Sequence, residues 1–355
     1  MKIAINGYGH VGRGVEAAVR SFPDLELCGI FTRRPRAVEA QTDVPVWDAG
    51  NAETVAERAA GLDVVVMCGG SADDLPRDSP RFARLCSIVD SFDRHESLDA
   101  HLSALDAAAR EGGHVAITGA GWDPGLMSLA RLYFAAVLPQ GQTLTQWGPG
   151  ISRGHTEFLR GLPGVERAVQ FTIPLDADAV LAEVPDGHLV AQALHRRECY
   201  IVASGDADRA ALERAIRAHE YFRGYETVVN FVTEEEFGRI VGDGDDSGDR
   251  RAPSDGHDHT DRCSTDGRGH ADRGSPSDRR APADRHGGLV ERVGVSGGVD
   301  RLTLRLELHS NAFFTGSVLC AAARAAGRMS RAGKVGAYTL AGVAPGLLAG
   351  GEAFF

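Results

Sequence analysis

The chain opens with an apolar strand candidate, Lys2-Ile3-Ala4-Ile5-Asn6, which runs directly into Gly7-Tyr8-Gly9-His10-Val11-Gly12 and then into a helix-like run at 15–19. Strand, G-x-G-x-x-G turn and helix start in that order form the opening of a βαβ dinucleotide-binding unit, and no other feature constrains the fold as tightly. Gly7 is expected to make the tight turn, Gly9 to let the backbone approach a pyrophosphate, and Gly12 to let the helix pack closely on the strand. The first N–H groups of that helix and its positive dipole end then face the phosphates. Tyr8, His10 and Val11 share the turn and are expected beside the cofactor.

A second strand at 25–31 ends on Thr32-Arg33-Arg34. An NAD-binding chain places Asp or Glu at that strand end for the ribose 2′-OH, whereas a hydroxyl and two guanidiniums suit the 2′-phosphate of NADP. Solvated loop charge is the alternative reading of the two arginines. Further strands are expected at 63–68, 87–90 and 114–118, alternating with helices, including one at 101–110. Their near-continuous apolar runs suit a parallel sheet covered on both faces, in a doubly wound α/β arrangement that ends near residue 121. The residues at the strand ends, Cys68, Gly70, Ser71, Asp90 and Ser91, are expected to line the cofactor.

Beyond residue 143 the pattern changes to period-two alternation, at 168–173, 198–202 and 301–308, which predicts an antiparallel or mixed sheet with one wet face. Past Phe313 the pattern is helical again, and this last piece is expected to pack back on the first domain. From 243 to 285 there is no Val, Ile, Leu, Met, Phe, Trp or Tyr, and Asp-Arg-Arg-Ala-Pro recurs at 249 and 278. Such a segment buries too little apolar surface to offset its ordering entropy, so a disordered insertion is expected there. The spacing of His257, His259, Cys263 and His270 within it matches no standard metal site, and no metal is expected.

A net charge of −11 argues against nucleic acid or an anionic membrane as the main partner. No apolar run approaches a membrane span, and a strand beginning at residue 2 leaves no room for a signal peptide. Six cysteines without C-x-x-C pairs fit reduced thiols in the cytoplasm.

Two carboxylate-bearing turns follow strands at the carboxyl edge of the expected sheet: Asp90-Ser91-Phe92-Asp93 and Gly121-Trp122-Asp123-Pro124-Gly125. A pair of carboxylates there suits ammonium recognition or proton handling as water attacks an imine, and helix capping is the alternative. The run Trp147-Gly148-Pro149-Gly150-Ile151-Ser152-Arg153-Gly154-His155-Thr156 reads either as a binding loop or as an interdomain turn.

With these pieces, and with Pro163-Gly164-Val165, Ala168-Val169-Gln170, His195-Arg196-Arg197-Glu198-Cys199, Tyr221-Phe222-Arg223-Gly224-Tyr225-Glu226 and Asn311, the chain resembles the meso-diaminopimelate dehydrogenases over nearly its whole length except the insertion. The resemblance implies a Rossmann NADP-binding domain at 1–121 and 312–355. It also implies an α+β substrate-binding and dimerisation domain with a mixed sheet at 122–311, in a homodimer. The implied activity is NADP-dependent oxidative deamination of the D-centre of meso-diaminopimelate, in lysine and cell-wall precursor synthesis. By position, Asp93 and Asp123 would serve the reacting D-centre as catalytic and substrate-binding groups, with Trp147 and Gly154 around it. Thr172, Arg197, His286 and Asn311 would hold the distant L-centre. The family usually has Gln where this chain has Arg153, which puts a cation beside the reacting end. That substitution makes a broader D-amino-acid dehydrogenase one alternative, and a non-catalytic NADP-binding regulatory protein that docks through the insertion is another.

Overall fold

The computed structural model describes residues 1–176, 191–241, 286–295 and 299–350. The insertion expected at 243–285, with its His257, His259, Cys263 and His270, lies outside them. The described chain divides into two compact units, Met1–Thr145 with Leu289–Phe355, and Gln146–Gly288.

The first unit is built on a parallel sheet. Its strands are β1 (Lys2–Asn6), β2 (Glu26–Thr32), β3 (Val46–Asp48), β4 (Val64–Met67), β5 (Ser87–Asp90), β6 (Val115–Thr118) and, from far along the chain, β14 (Gly336–Thr339). They stand in the order β14-β6-β5-β4-β1-β2-β3, so the winding reverses between β1 and β4. Every residue of β4, β5 and β6 is buried, as the apolar runs required. Alternation sends Ile3, Ile5, Val64 and Val66 to one core and Ala4, Val65 and Met67 to another on the opposite face.

Helices α1 (His10–Val19), α2 (Pro35–Glu39), α3 (Ala52–Ala59), α4 (Asp74–Ala83) and α5 (Leu98–Gly112) connect the strands. The long α10 (Asn311–Arg331) lies against α1. A Cβ at Gly14 would sit 2.1 Å from the Ala312 carbonyl oxygen, and one at Gly316 would sit 2.4 Å from the Gly14 carbonyl oxygen, so the two backbones touch. The C-terminal piece thus packs on the nucleotide-type sheet, and it contributes a strand that the sequence pattern did not reveal.

The compact units divide the chain at 145 and 288 rather than at 121 and 312. Helix α6 (Leu126–Val137) buries Leu129 in the core of the first unit. The three-stranded sheet of β7 (Gly141–Trp147), β12 (His286–Val295) and β13 (Val299–Leu308) joins this unit for most of its length. The alternating run at 301–308 therefore belongs to a different sheet from the other two.

The second unit holds a mixed sheet in the order β11-β10-β9-β8, from β8 (Gly150–Ile151), β9 (Val165–Pro174), β10 (His195–Ala203) and β11 (Glu226–Phe231). β9 pairs antiparallel with β8 and β10, and β10 pairs parallel with β11. Helices α7 (Arg153–Arg160), α8 (Arg209–Ala218) and α9 (Glu234–Val241) complete the unit, and Leu159, Ala168, Cys199, Ile201, Ile216 and Phe222 form one of its cores.

Candidate active site

The first unit carries a pocket of about 430 Å³ where the winding reverses. Gly7, Tyr8 and Gly9 line it beside Thr32, Arg33 and Arg34 from the end of β2, and Cys68 and Gly70 from the end of β4. Ligands of open α/β sheets bind at this place. Gly7 has a φ of 94°, which only glycine adopts without strain. A Cβ at Gly12 would lie 2.2 Å from the Gly7 carbonyl oxygen, so the helix start is pressed onto the turn. At Gly9 the same construction meets nothing within 4 Å, leaving open space over the backbone. No acidic residue lies in the first turn of α1, which begins at His10, and no side-chain cap closes it. These features fit a pyrophosphate.

The arginines behave differently from each other. Arg33 pairs with Asp74 at 2.8 Å, and Arg34 is exposed at the start of α2, its backbone N–H donating to Thr32 Oγ1 at 3.2 Å. Asp74, which opens α4 just after the Gly69-Gly70 loop, lines the same pocket. It is not among the residues expected at the cofactor. Its position at the mouth of a glycine loop was the available signal.

Two of the expected cofactor residues have other work for their side chains. Burial pushes the Cys68 thiol well above its ordinary value, and the thiol donates to the Val66 carbonyl. Asp90 is completely buried, and both its oxygens are engaged by Thr118, His101 and the Phe92 N–H. Its carboxylate is internal to the sheet edge, and Asp90 is not among the residues that line the pocket. Ser71 Oγ accepts from the Asp93 N–H at 3.1 Å, and Ser91 is half-buried after β5.

Asp93 is exposed at this edge. Asp123 sits on a turn with a cis Asp123-Pro124 bond, its side chain fully buried and gripped by Arg131, at 2.5 Å from Nη2 to Oδ1 and 3.2 Å from Nη1 to Oδ2. Arg131, too, is not among the residues expected at the site. It lies eight residues on, on the second turn of the helix that Asp123 precedes. Asn311 opens α10 in this first unit and accepts from Thr315 Oγ1 at 3.3 Å.

The second unit gathers the other group. Arg197 on β10 is directly opposite Thr172 on β9, and its guanidinium donates to Thr172 Oγ1. The cation lies 4.1 Å above the Tyr225 ring. It is only 7% exposed, and its Nε makes no hydrogen bond. Among the described residues no carboxylate pairs with it. Burial lowers its pKa from the ordinary arginine value, with Tyr225 opposing. Gln170, one pleat before Thr172, stitches the start of α7 to β9. Its carbonyl accepts from Ser152 N–H at 3.0 Å, its N–H donates to Thr156 Oγ1 at 3.1 Å, and its Oε1 meets His155 Nδ1 at 2.9 Å. That stitch places the backbone of Arg153 and Gly154.

Trp147 N–H donates to His195 Nε2 at 2.8 Å and the two rings stack at 5.1 Å. The Gly148 N–H donates to the Gly287 carbonyl at 2.7 Å, which brings the backbone beside His286 to the cis Gly148-Pro149 turn. Gln170, His155, His195 and Tyr225 were not singled out as site residues; Gln170, His195 and Tyr225 stood inside runs that carry the family resemblance, and His155 stood inside the candidate binding loop at 147–156.

Among the described residues no group of three His, Cys, Asp or Glu side chains is arranged to hold a metal, and no helix is long and apolar enough to cross a membrane.

A family profile described as the diaminopimelic acid dehydrogenase C-terminal domain matches residues 121–242. The meso-diaminopimelate D-dehydrogenase of Lysinibacillus sphaericus is 39% identical over 353 residues, covering 98% of this chain and 95% of that protein. That of Corynebacterium glutamicum is 38% identical over 351 residues, with the same coverage of 98% and 95%. Among solved structures, the C. glutamicum DAP dehydrogenase in complex with DAP matches with a TM-score of 0.80 at 36% identity, covering 99% of this chain and 96% of that one. An engineered D-amino acid dehydrogenase bound to NADP+ matches with a TM-score of 0.76 at 35% identity, covering 99% and 97%. Sequence and fold agree along nearly the full length, and the chain belongs to the meso-diaminopimelate D-dehydrogenase family.

Proposed function

We propose that this protein is an NADP-dependent dehydrogenase that reversibly deaminates the D-centre of meso-diaminopimelate, giving L-2-amino-6-oxopimelate, ammonia and NADPH. The observation that carries this reading is Arg197, a buried guanidinium with a free Nε and no carboxylate partner among the described residues. meso-Diaminopimelate bears an amino-acid group at each end, so selecting one centre requires a grip on the other. A desolvated guanidinium steadied by Thr172 and Tyr225 gives a distant carboxylate that grip.

When bound, the nicotinamide takes up or returns the hydride, and the protein supplies orientation. The Gly7–Gly12 turn and the α1 N-terminus would hold the pyrophosphate, and Arg34 with Arg33 would hold the 2′-phosphate, Arg33 giving up Asp74 for it. Asp93, exposed at the strand edge, takes the proton from the water that hydrolyses the oxidised amine. Asp123, fixed by Arg131, orients the reacting end. Trp147, Arg153 and Gly154 belong to the reacting end, and His286 and Asn311 to the distant one. Buried free thiols at Cys68, Cys86, Cys199 and Cys320 support a cytoplasmic location. The exposed Leu132, Tyr133 and Val137 on α6 support a homodimer.

The test is turnover. Purified protein with the meso compound and NADP is expected to raise the absorbance of the reduced nicotinamide, and no turnover with either NADP or NAD overturns the reading. Faster turnover of simple D-amino acids, which lack a distant carboxylate, would instead favour the broader enzyme. Sedimentation at a single-chain mass would remove the dimer.

A further inference from the structure

Asp90 is a buried charge that neither the cofactor pocket nor the substrate groups use. It ends β5, is 0% exposed, and carries three side-chain hydrogen bonds. Oδ1 accepts from Thr118 Oγ1 at 2.5 Å and from the Phe92 N–H at 3.2 Å. Oδ2 meets His101 Nε2 on α5 at 2.8 Å, and the His101 ring stacks on Phe92 with centroids 4.1 Å apart. Its backbone carbonyl accepts from the Ala120 N–H at 2.9 Å.

Apart from His101 on α5, these partners fall on two segments. Phe92 is the residue before Asp93, whose own N–H is tied to Ser71 at 3.1 Å. Thr118 and Ala120 end β6 and lead into the Gly121–Gly125 turn that bears Asp123. β5 and β6 are neighbours in the sheet, with Val89 opposite Ile117, so one residue reaches both exits. A buried carboxylate with a full set of donors is costly to create and stiff once made.

We propose that Asp90 is a positioning residue: through Phe92, Thr118 and Ala120, with His101 as its back support, it fixes where the Asp93 turn and the Asp123 turn leave the sheet. Asp90 touches neither substrate nor cofactor. It acts through the two carboxylates assigned to the reacting end, and to that extent the inference rests on the proposed function.

Three variants test it. Asp90→Asn keeps an oxygen for Thr118 and Phe92 and offers its amide to His101 in the other tautomer, so kcat/KM for the amino acid should stay within about threefold of the parent. Thr118→Val removes one tie, and Asp90→Leu removes every side-chain acceptor. Misplacing reacting groups by an ångström costs about 10²-fold, so kcat/KM should fall about tenfold and about 10²-fold respectively, while the NADP dissociation constant stays within about twofold. Amide exchange should quicken in residues 91–95 and 119–125 together in Thr118→Val and Asp90→Leu, and remain parental in Asp90→Asn.

If Asp90→Leu fails to fold, Thr118→Val and Asp90→Asn still decide. An active parent whose Thr118→Val variant retains kcat/KM within twofold overturns the inference, as does loss of NADP affinity in step with turnover. A parent without turnover defeats the proposed function instead. The exchange measurement then judges the positioning role alone, and unchanged exchange in both turns rejects it.

Discussion

Arg197 and His155 share one small polar network, and each makes a prediction that single substitutions can check. A charge-assisted contact to a desolvated carboxylate contributes about 2–3 kcal/mol, so Arg197→Ala is expected to raise the KM for the meso compound roughly 30- to 150-fold. Arg197→Lys should rescue little, because an ammonium cannot reproduce the fork that faces Thr172 and stacks on Tyr225. An unchanged KM in Arg197→Ala removes the residue from the site. His155, by contrast, is held neutral. Burial, then the positive Arg197, push its pKa from 6.5 down to about 4, against a hydrogen bond to Gln170 Oε1 that raises it. A histidine depressed in the folded state contributes stability that is whole above its unfolded value and lost as pH falls towards the folded one. Unfolding free energy should therefore drop between about pH 6.5 and pH 4 by on the order of 2 kcal/mol, and His155→Phe should flatten that window. Urea midpoints at four or five pH values read it directly, and an equal acid slope in both proteins refutes the assignment.

Helices and strands show why some of this was legible in advance and some was not. The G-x-G-x-x-G turn and the apolar runs of β4, β5 and β6 were legible because burial on two faces leaves no polar position to confuse the pattern. β14, with the sequence Gly-Ala-Tyr-Thr, was not, because four residues at a sheet edge carry no periodicity. Asp123 was found from its turn, but its partner Arg131 was not, since an ion pair between a turn and the next helix depends on how the chain folds back. Asp90 is expected at the cofactor from its place at a strand end, and only the burial of its oxygens, which no sequence pattern shows, supports the positioning role proposed for it. Two glycines of α1's region separate packing from binding. Gly14→Ala forces the α1 and α10 backbones apart and should cost about 1–3 kcal/mol in a urea titration. Gly9→Ala meets no protein atom, so its stability should hold while NADP affinity falls about tenfold or more. Reversal of that pattern would place the phosphates elsewhere.

At the scale of the whole molecule the charge of −11 repels any anionic cofactor, and it does so alike for NAD and NADP apart from the 2′-phosphate. The ratio of the NAD to the NADP dissociation constant therefore isolates the Arg33 and Arg34 contribution. Raising salt from about 0.05 M to about 0.5 M shortens the screening length severalfold and should shrink that ratio. A ratio insensitive to salt, or unchanged in Arg33→Ala/Arg34→Ala, would take the pair out of cofactor choice.

The parallel sheet that starts at residue 2 acquires its last strand at residues 336–339, next to β6, after α10 has covered α1. During synthesis the segment 146–288 emerges complete while the apolar side of α1, with Val15 and Ala18, and the edge of β6 still wait for their partners. Those surfaces are what a chaperone would meet on the nascent chain. The dinucleotide fingerprint is the first part of this protein to be translated and among the last to gain its complete support.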